Sequence, residues 1–90
     1  MPAAPLNHFT TSDFWRLYNA LPEEVRKLAD KNYQLLRVDP THPSLHFKEI
    51  DADLWSVRVG RSYRALAFQE EDGFYWFWIG SHSQYDKFMP

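Results

Sequence analysis

The feature that most constrains the fold is a series of strand-like segments joined by very short turns in the second half of the chain. Residues 55–59 (Trp-Ser-Val-Arg-Val) alternate apolar and polar side chains, which is the period of a strand with two different faces. A further candidate, residues 47–50, precedes them, and two more follow, residues 63–69 and 74–79. Because links this short join neighbouring antiparallel strands, the pattern predicts an antiparallel meander.

The first half of the chain has helical spacing instead. After Thr11 or Ser12 as a possible N-cap, the apolar side chains recur at i, i+3, i+4 and i+7 from Phe14 to Leu21. Pro22 suits the N1 position of a second helix, which we expect to end at Asp39. The spacing predicts a tight pair of antiparallel helices, and residues 7–9 could add a short strand before them.

These elements predict an α+β fold: an N-terminal helical hairpin packed on a four-stranded antiparallel sheet, with a short C-terminal helix capped by Ser81 and running through Met89. We expect the helices to cover the sheet face that carries Trp55, Val57 and Val59. The opposite face is then left for function. The 90 residues predict one domain, residues 1–90.

Composition narrows the class of protein. The chain has no Cys, which excludes disulfides and thiolate metal sites and fits a reducing compartment. It has no apolar run long enough to cross a bilayer, and residues 1–5 do not resemble a signal peptide, so we expect a soluble, cytoplasmic protein without a membrane partner. The net charge is −2, so any binding of nucleic acid must depend on a local basic patch.

Cations are concentrated near one region of the predicted sheet. Arg58 points away from the apolar face of its strand, Arg61 lies in the following turn, Arg64 lies in the next strand, and Lys48 lies on the neighbouring one. Such a cluster can hold phosphates and stabilise charge on a transferring phosphoryl group. The alternative is a solvated face on which these cations form ion pairs with acidic neighbours, namely Glu49, Asp51, Asp53 and Glu70.

His82 and Tyr85 follow the last strand. Cleavage of RNA by attack of its 2′-OH needs a base, an acid and a cation for the phosphate, and His82, Tyr85 and Arg64 could supply them. The alternative is that His82 and Tyr85 only cap or pack a terminal helix. His42 and His46 flank Pro43, so no metal site is expected there, and no cofactor is expected. The aromatic residues 74–78 could stack bases, but a buried strand explains their continuous apolar run better.

Several short segments, in this order, resemble the RelE/ParE superfamily of toxins. The matching segments are residues 21–25 (Leu-Pro-Glu-Glu-Val), 45–48 (Leu-His-Phe-Lys), 55–59, 63–65 (Tyr-Arg-Ala) and 78–85 (Trp-Ile-Gly-Ser-His-Ser-Gln-Tyr). The resemblance covers roughly residues 9 to 88. In this chain His82 and Tyr85 are three positions apart, whereas members that carry both at the chain end have them adjacent.

The resemblance implies the toxin of a bacterial toxin–antitoxin pair, neutralised by a cognate antitoxin. RelE-like members cleave mRNA in the ribosomal A site without a metal, and ParE-like members poison DNA gyrase instead. By resemblance, Arg64, His82 and Tyr85 are the catalytic candidates, and Lys48, Arg58 and Arg61 are RNA-binding candidates. A non-catalytic binding module of the same fold is the third alternative. Exposed aromatics near Phe9, Trp15 and Phe88 could receive the antitoxin.

Overall fold

The computed structural model of the chain describes residues 7–88. Its elements, in chain order, are β1 (His8–Thr10), α1 (Ser12–Asn19), α2 (Glu23–Val38), a 3-10 turn (Pro43–Leu45), β2 (Lys48–Asp51), β3 (Leu54–Val59), β4 (Tyr63–Glu70), β5 (Gly73–Ser81) and α3 (His82–Phe88). The five strands form one sheet in the order β1-β5-β4-β3-β2. The predicted end of the last helix at Met89 lies outside the described residues.

The sheet confirms the antiparallel meander and corrects the number of strands. Strands β2 to β5 pair antiparallel in chain order, as predicted. The expectation of a four-stranded, wholly antiparallel sheet is wrong, because β1 joins as a fifth strand and runs parallel to β5, with His8 opposite Phe74. A meander leaves β5 as an unpaired edge, and β1 covers that edge with a strand from the far end of the chain.

The two helices begin where the sequence indicates, but they do not form the predicted tight hairpin. Thr11 caps α1 by accepting a hydrogen bond from the backbone N–H of Phe14. Pro22 is the N-cap of α2 rather than its first helical residue. Helix α1 packs on β5 and α2 packs against β3, so the helices are separated.

A cavity of about 170 Å³ lies between α1 and α2, above the sheet. Aromatic side chains of both helices, including Phe14, Tyr18 and Tyr33, line it. The Tyr18 hydroxyl donates a hydrogen bond to Asp30 of α2 at 2.7 Å, which ties the helices together across the gap. This separation corrects the hairpin expectation.

The main core lies between the helices and one face of the sheet, as expected. Val57 and Val59 of β3 are buried there with Leu36 of α2, and Trp55 packs against the same cluster. Burying side chains of this size contributes roughly 1.5–3 kcal/mol each. The opposite face of the sheet is therefore the one that the helices α1 and α2 leave open.

A β-bulge between β4 and β5 changes which aromatic side chains are buried. The register shifts between Leu66 and Ala67, which pair with Trp78 and Trp76, and Phe77 is the extra residue. Phe77 is therefore turned onto the open face, where its ring stacks on Phe68 with centroids 4.6 Å apart. Most of the strand is buried, as the apolar run predicts, but Phe77 is only half-buried.

Candidate functional site

The open face of the sheet carries Arg64 at the centre of its basic end. In β4, Arg64 lies directly opposite Arg58 of β3 and opposite Gly80 of β5. Its neighbour Ala65 points to the helix-packed core, so strand alternation directs Arg64 to the open face. The Arg64 side chain is half-buried there, beneath α3.

Arg64 has only weak protein partners for its guanidinium group. One terminal nitrogen lies 3.4 Å from the hydroxyl of Ser56, and the guanidinium carbon lies 5.1 Å from the centre of the Tyr85 ring. Among the described residues, its buried Nε has no hydrogen-bond partner. An unpaired buried donor costs about 1–3 kcal/mol, so Arg64 has a hydrogen-bonding group that the described residues leave unsatisfied.

Helix α3 brings Tyr85 over Arg64. The Ser81 hydroxyl accepts a hydrogen bond from the backbone N–H of Gln84, and the Gln84 side chain accepts one from the N–H of Ser81. This reciprocal capping starts the helix directly at the end of β5, and it confirms Ser81 as the predicted cap. His82 and Tyr85, three residues apart, lie on the same side of α3 with ring centroids 5.8 Å apart.

Gly80 allows α3 to cross close to the strand that precedes it. A Cβ atom added at Gly80 would lie 2.6 Å from the Trp78 indole and 2.7 Å from the Gln84 side chain. Both contacts are shorter than real Cβ atoms accept, so a side chain at this position would displace Trp78 or α3. Trp78 itself is buried on the open face, opposite Leu66. Because Gly80 has no side chain, α3 can lie close enough to the sheet to place Tyr85 over Arg64.

His82 has a carboxylate partner that the sequence analysis did not identify. Its Nδ1 lies 3.1 Å from a carboxylate oxygen of Asp86, one helical turn later. When Nδ1 carries the proton, the other ring nitrogen, Nε2, is free to accept one. The i, i+4 spacing of His82 and Asp86 in a short terminal helix was the signal that could have found this pair.

The remaining cationic candidates surround Arg64 without carboxylate partners. Arg58 donates from Nε to the carbonyl oxygen of Gly60 at 3.0 Å, and one of its terminal nitrogens lies 3.4 Å from His46. Arg61 is exposed in the turn between β3 and β4, and Lys48 is exposed on β2, opposite Ser56. Within residues 7–88, the ion pairs involve other residues, so the alternative of a self-paired charged face is wrong for these cations.

The opposite end of the sheet is acidic. The β2–β3 and β4–β5 connections and the residues beside them expose six carboxylates, those of Glu49, Asp51, Asp53, Glu70, Glu71 and Asp72. The cations Arg58, Arg61 and Arg64 lie at the other end of the same strands. The net charge of −2 therefore conceals a separation of charge along the sheet.

Neither a metal site nor a membrane span is found in the described part of the chain. Within residues 7–88, His, Asp and Glu side chains do not gather into a group that could hold a metal ion. His42 instead accepts a hydrogen bond from the backbone N–H of Ser44, and His46 is a left-handed residue beside Arg58. Across the same residues, the helices lack the length and apolar character needed to cross a bilayer.

The structure thus has α1 and α2 on one face of the sheet and α3 beside Arg64 on the other, and this arrangement can be compared with solved structures. The structure is similar to the RelE–RelB antitoxin–toxin complex from Methanococcus jannaschii, with a TM-score of 0.71 and 15% identity over 91% of this chain and 99% of that one. It is also similar to the toxin–antitoxin complex RelBE2 from Mycobacterium tuberculosis, with a TM-score of 0.69 and 18% identity over 88% and 100% of the two chains. The RelE–RelB complex from Pyrococcus horikoshii gives a TM-score of 0.66 and 12% identity over 90% and 99%.

The sequence itself identifies the family. The family model of the ParE-like toxin domain matches residues 23–87, which is most of the chain. The chain therefore belongs to the ParE-like toxin domain family, and the resemblance to RelE/ParE toxins is confirmed. A comparison with curated proteins finds no match.

Proposed function

We propose that this protein is the toxin of a toxin–antitoxin pair and that it cleaves mRNA in the cytoplasm without a metal, on the ribosome, until a cognate antitoxin binds it. The observation that carries the proposal is the position of Arg64: its guanidinium carbon lies 5.1 Å from the centre of the Tyr85 ring, Tyr85 is the neighbour of His82 on α3, and one buried donor of Arg64 is unpaired. The likeness to toxins solved together with their antitoxins supports the partner.

The proposed reaction is an internal transesterification of RNA. The free Nε2 of His82, held from behind by Asp86, takes the proton of a ribose 2′-OH, and the oxygen attacks the adjacent phosphorus. The bond from phosphorus to the 5′-oxygen breaks, and Tyr85 donates a proton to that leaving oxygen. A 2′,3′-cyclic phosphate and a free 5′-OH result. Arg64 binds the non-bridging oxygens, where charge increases in the transition state.

Charge separation along the sheet supports an RNA substrate in spite of the net negative charge. Lys48, Arg58 and Arg61 lie near Arg64 and are free of carboxylate partners among the described residues, so they are available for the phosphates that flank the cleaved one. The exposed ring of Phe9 (38% exposed) and that of Trp15 (46% exposed) are candidates for contacts with the antitoxin. The side chain of Phe88 lies outside the part of the chain that the structure describes.

A second candidate function is a toxin directed against gyrase. The observation that favours it is the family match, which is to the ParE-like toxin domain. Such a toxin acts by contact and needs neither His82 nor Tyr85. It would cause DNA damage signalling on expression while transcripts stay intact.

Induced expression in a bacterial host, with and without the adjacent gene product, tests the proposal. We expect growth arrest with cleaved transcripts, relief by the partner, and a loss of cleavage of about 10²-fold or more in Arg64→Ala. Arg16→Ala, an exposed arginine on α1, is the matched control and should arrest growth fully. Arrest with intact transcripts in both proteins would reject the nuclease and favour the gyrase target, and harmless expression would indicate a non-catalytic module.

A further inference from the structure

A cluster of four aromatic rings, two exposed and two half-buried, lies on the open face of the sheet, away from Arg64. Phe9 of β1 stacks on Tyr75 of β5 with ring centroids 4.8 Å apart, and Phe68 of β4 stacks on Phe77 of β5 at 4.6 Å. Phe9 and Phe68 each pair with Tyr75 in the strand register, so these four rings form one continuous surface, the aromatic patch. Phe68 is 47% exposed and Phe9 is 38% exposed.

Carboxylates border the aromatic patch at the β4–β5 hairpin. Glu70, Glu71 and Asp72 are all exposed, and Asp72 accepts a hydrogen bond from the Tyr75 hydroxyl at 2.8 Å. This bond, together with the negative charges of Asp72 and Glu70, raises the pKa of Tyr75 above its ordinary value. Among residues 7–88, no cation forms an ion pair with these three carboxylates. The patch therefore combines apolar surface with an uncompensated negative edge.

We propose that the aromatic patch is a docking surface for a segment of a partner protein in which apolar side chains are flanked by Lys or Arg. The apolar side chains would cover the four rings, and the cations would meet Glu70, Glu71 and Asp72 or lie over an exposed ring face. The combination of exposed rings and acidic edge specifies the occupant, since apolar area alone would accept any hydrophobic segment.

The same charges argue against the other occupants of an aromatic surface. Single-stranded RNA stacks bases on exposed rings, but its phosphates would be repelled by the carboxylates at this edge. A second copy of this chain paired by a two-fold axis parallel to the strands would bring two acidic edges together. The docking surface is distinct from the proposed cleavage site, because Phe68 and Arg64 are four residues apart on β4, which is about 13 Å at the rise of a strand. The inference therefore does not depend on the nuclease reaction.

Titration of the full chain with three synthetic peptides, followed by nuclear magnetic resonance, tests the inference. The first peptide intersperses Leu with Lys, the second replaces Lys with Glu, and the third replaces Leu with Ser. We expect only the first to bind, with shifts concentrated at Phe9, Phe68 and Phe77 and with affinity that falls as salt is added. Phe68→Ser and the double variant Glu70→Gln/Glu71→Gln should each weaken it by about tenfold.

Tyr33→Ser is the matched control, because Tyr33 is 41% exposed but lies on α2, on the other side of the sheet. It should bind the first peptide as the parent does. Circular dichroism checks that Phe68→Ser folds, and Phe9→Ser replaces it if it does not. Equal binding of the Ser-containing peptide, an equal loss in Tyr33→Ser, shifts of the patch by oligouridylate, or occupation of the patch by self-association would each overturn the inference.

Discussion

Arg58 and Arg64 face each other directly across the β3–β4 pair, so two cationic side chains leave neighbouring backbone positions on the open face. Like charges in directly opposed strand positions destabilise a sheet by roughly 0.2–1 kcal/mol. In this protein no carboxylate within residues 7–88 forms an ion pair with either of them. A bound anion would remove the repulsion and provide a partner for the unpaired donor of Arg64.

Sulfate is therefore expected to stabilise the protein more than chloride at the same ionic strength. Because binding to the folded state alone adds RT ln(1 + [L]/Kd), sulfate at about ten times its Kd adds about 1.4 kcal/mol. For a domain of this size, that raises Tm by about 5–10 °C. Scanning calorimetry checks the effect, which should be clearly smaller in Arg64→Gln, where only the general stabilisation of folded proteins by sulfate remains. A rise of the same size in that variant would mean that sulfate acts elsewhere.

Replacing Asp86 by Asn tests the carboxylate behind His82. The variant keeps the size of the side chain but removes the negative charge of the group that holds the imidazole by its Nδ1. We expect RNA cleavage to fall by about tenfold, less than the roughly 10²-fold or greater loss in His82→Ala. Asp13→Asn, an exposed aspartate of α1, is the control. Equal rates for parent and Asp86→Asn would remove Asp86 from the site.

Stability should fall in mild acid because of His8. Its Nδ1 accepts a hydrogen bond from the Trp76 indole, and burial, assisted by the charge of Arg37, lowers the pKa of the imidazole below its ordinary value of 6.5. The unfolded chain then takes up a proton first as pH falls. The contribution of His8 is complete above about pH 6.5 and is lost as pH falls towards its folded pKa.

Chemical denaturation at about pH 7.5 and pH 5.5 measures this loss. In His8→Gln the difference between the two pH values should be smaller, since Gln does not titrate. The other histidines and the carboxylates contribute equally to both proteins, so the comparison isolates His8. A difference of the same size in both proteins would contradict the assignment.

Gly80→Ala should destabilise the protein and disturb the site together. The added methyl group meets the Trp78 indole and Gln84, so either the indole or α3 must move, at a cost of about 1–3 kcal/mol. Urea denaturation gives the free energy of unfolding, with the exposed Ser83→Ala in α3 as control. We expect RNA cleavage to fall even where the variant is fully folded, because Tyr85 moves with α3. Parent-like stability would contradict the close approach.

Filling the cavity between α1 and α2 should stabilise the fold. Ala29 lines the cavity from α2, and Leu at this position keeps helix propensity nearly unchanged. Each additional buried CH₂ contributes about 0.8 kcal/mol, so Ala29→Leu should gain about 1 kcal/mol after some loss of side-chain entropy. Lys31→Leu, exposed on the same helix, should gain little. Equal changes in the free energy of unfolding for Ala29→Leu and Lys31→Leu would mean that the added side chain at position 29 does not fill the cavity.

The parts of the fold that the sequence predicts well are those that local patterns determine. Alternation from Trp55 to Val59 and the short turns specify the meander and its core-facing side, and Ser81 specifies the start of α3. The sequence did not predict that β1 joins the sheet beside β5. A strand of three residues has too little pattern, and its partner is far along the chain. The bulge at Phe77 could not be predicted either, because the run 74–79 is apolar throughout and has no alternation that would mark an extra residue.

For the candidate site, too, the sequence predicts the features that local patterns determine and not those that depend on distant contacts. Strand alternation predicts that Arg64 leaves the core, and helical spacing predicts that His82 and Tyr85 share a side of α3. The position of α3 over Arg64 could not be predicted from the sequence. It depends on the close approach that Gly80 allows and on the capping by Gln84, and both are contacts in three dimensions. The separation of the helices has no local sequence signal, since it depends on α1 packing on β5 and α2 packing on β3, which are distant in the chain.

The pairing of His8 with Phe74 has a consequence for the timing of assembly during synthesis. The N-terminal strand emerges first but has no neighbour until β5 has been translated, and α3 follows β5 directly. The Tyr85 ring therefore reaches its position over Arg64 only when nearly all of the described chain has left the ribosome. The contact between Arg64 and Tyr85 is therefore among the last to form as the chain emerges, after β3 and β4 are already available to pair.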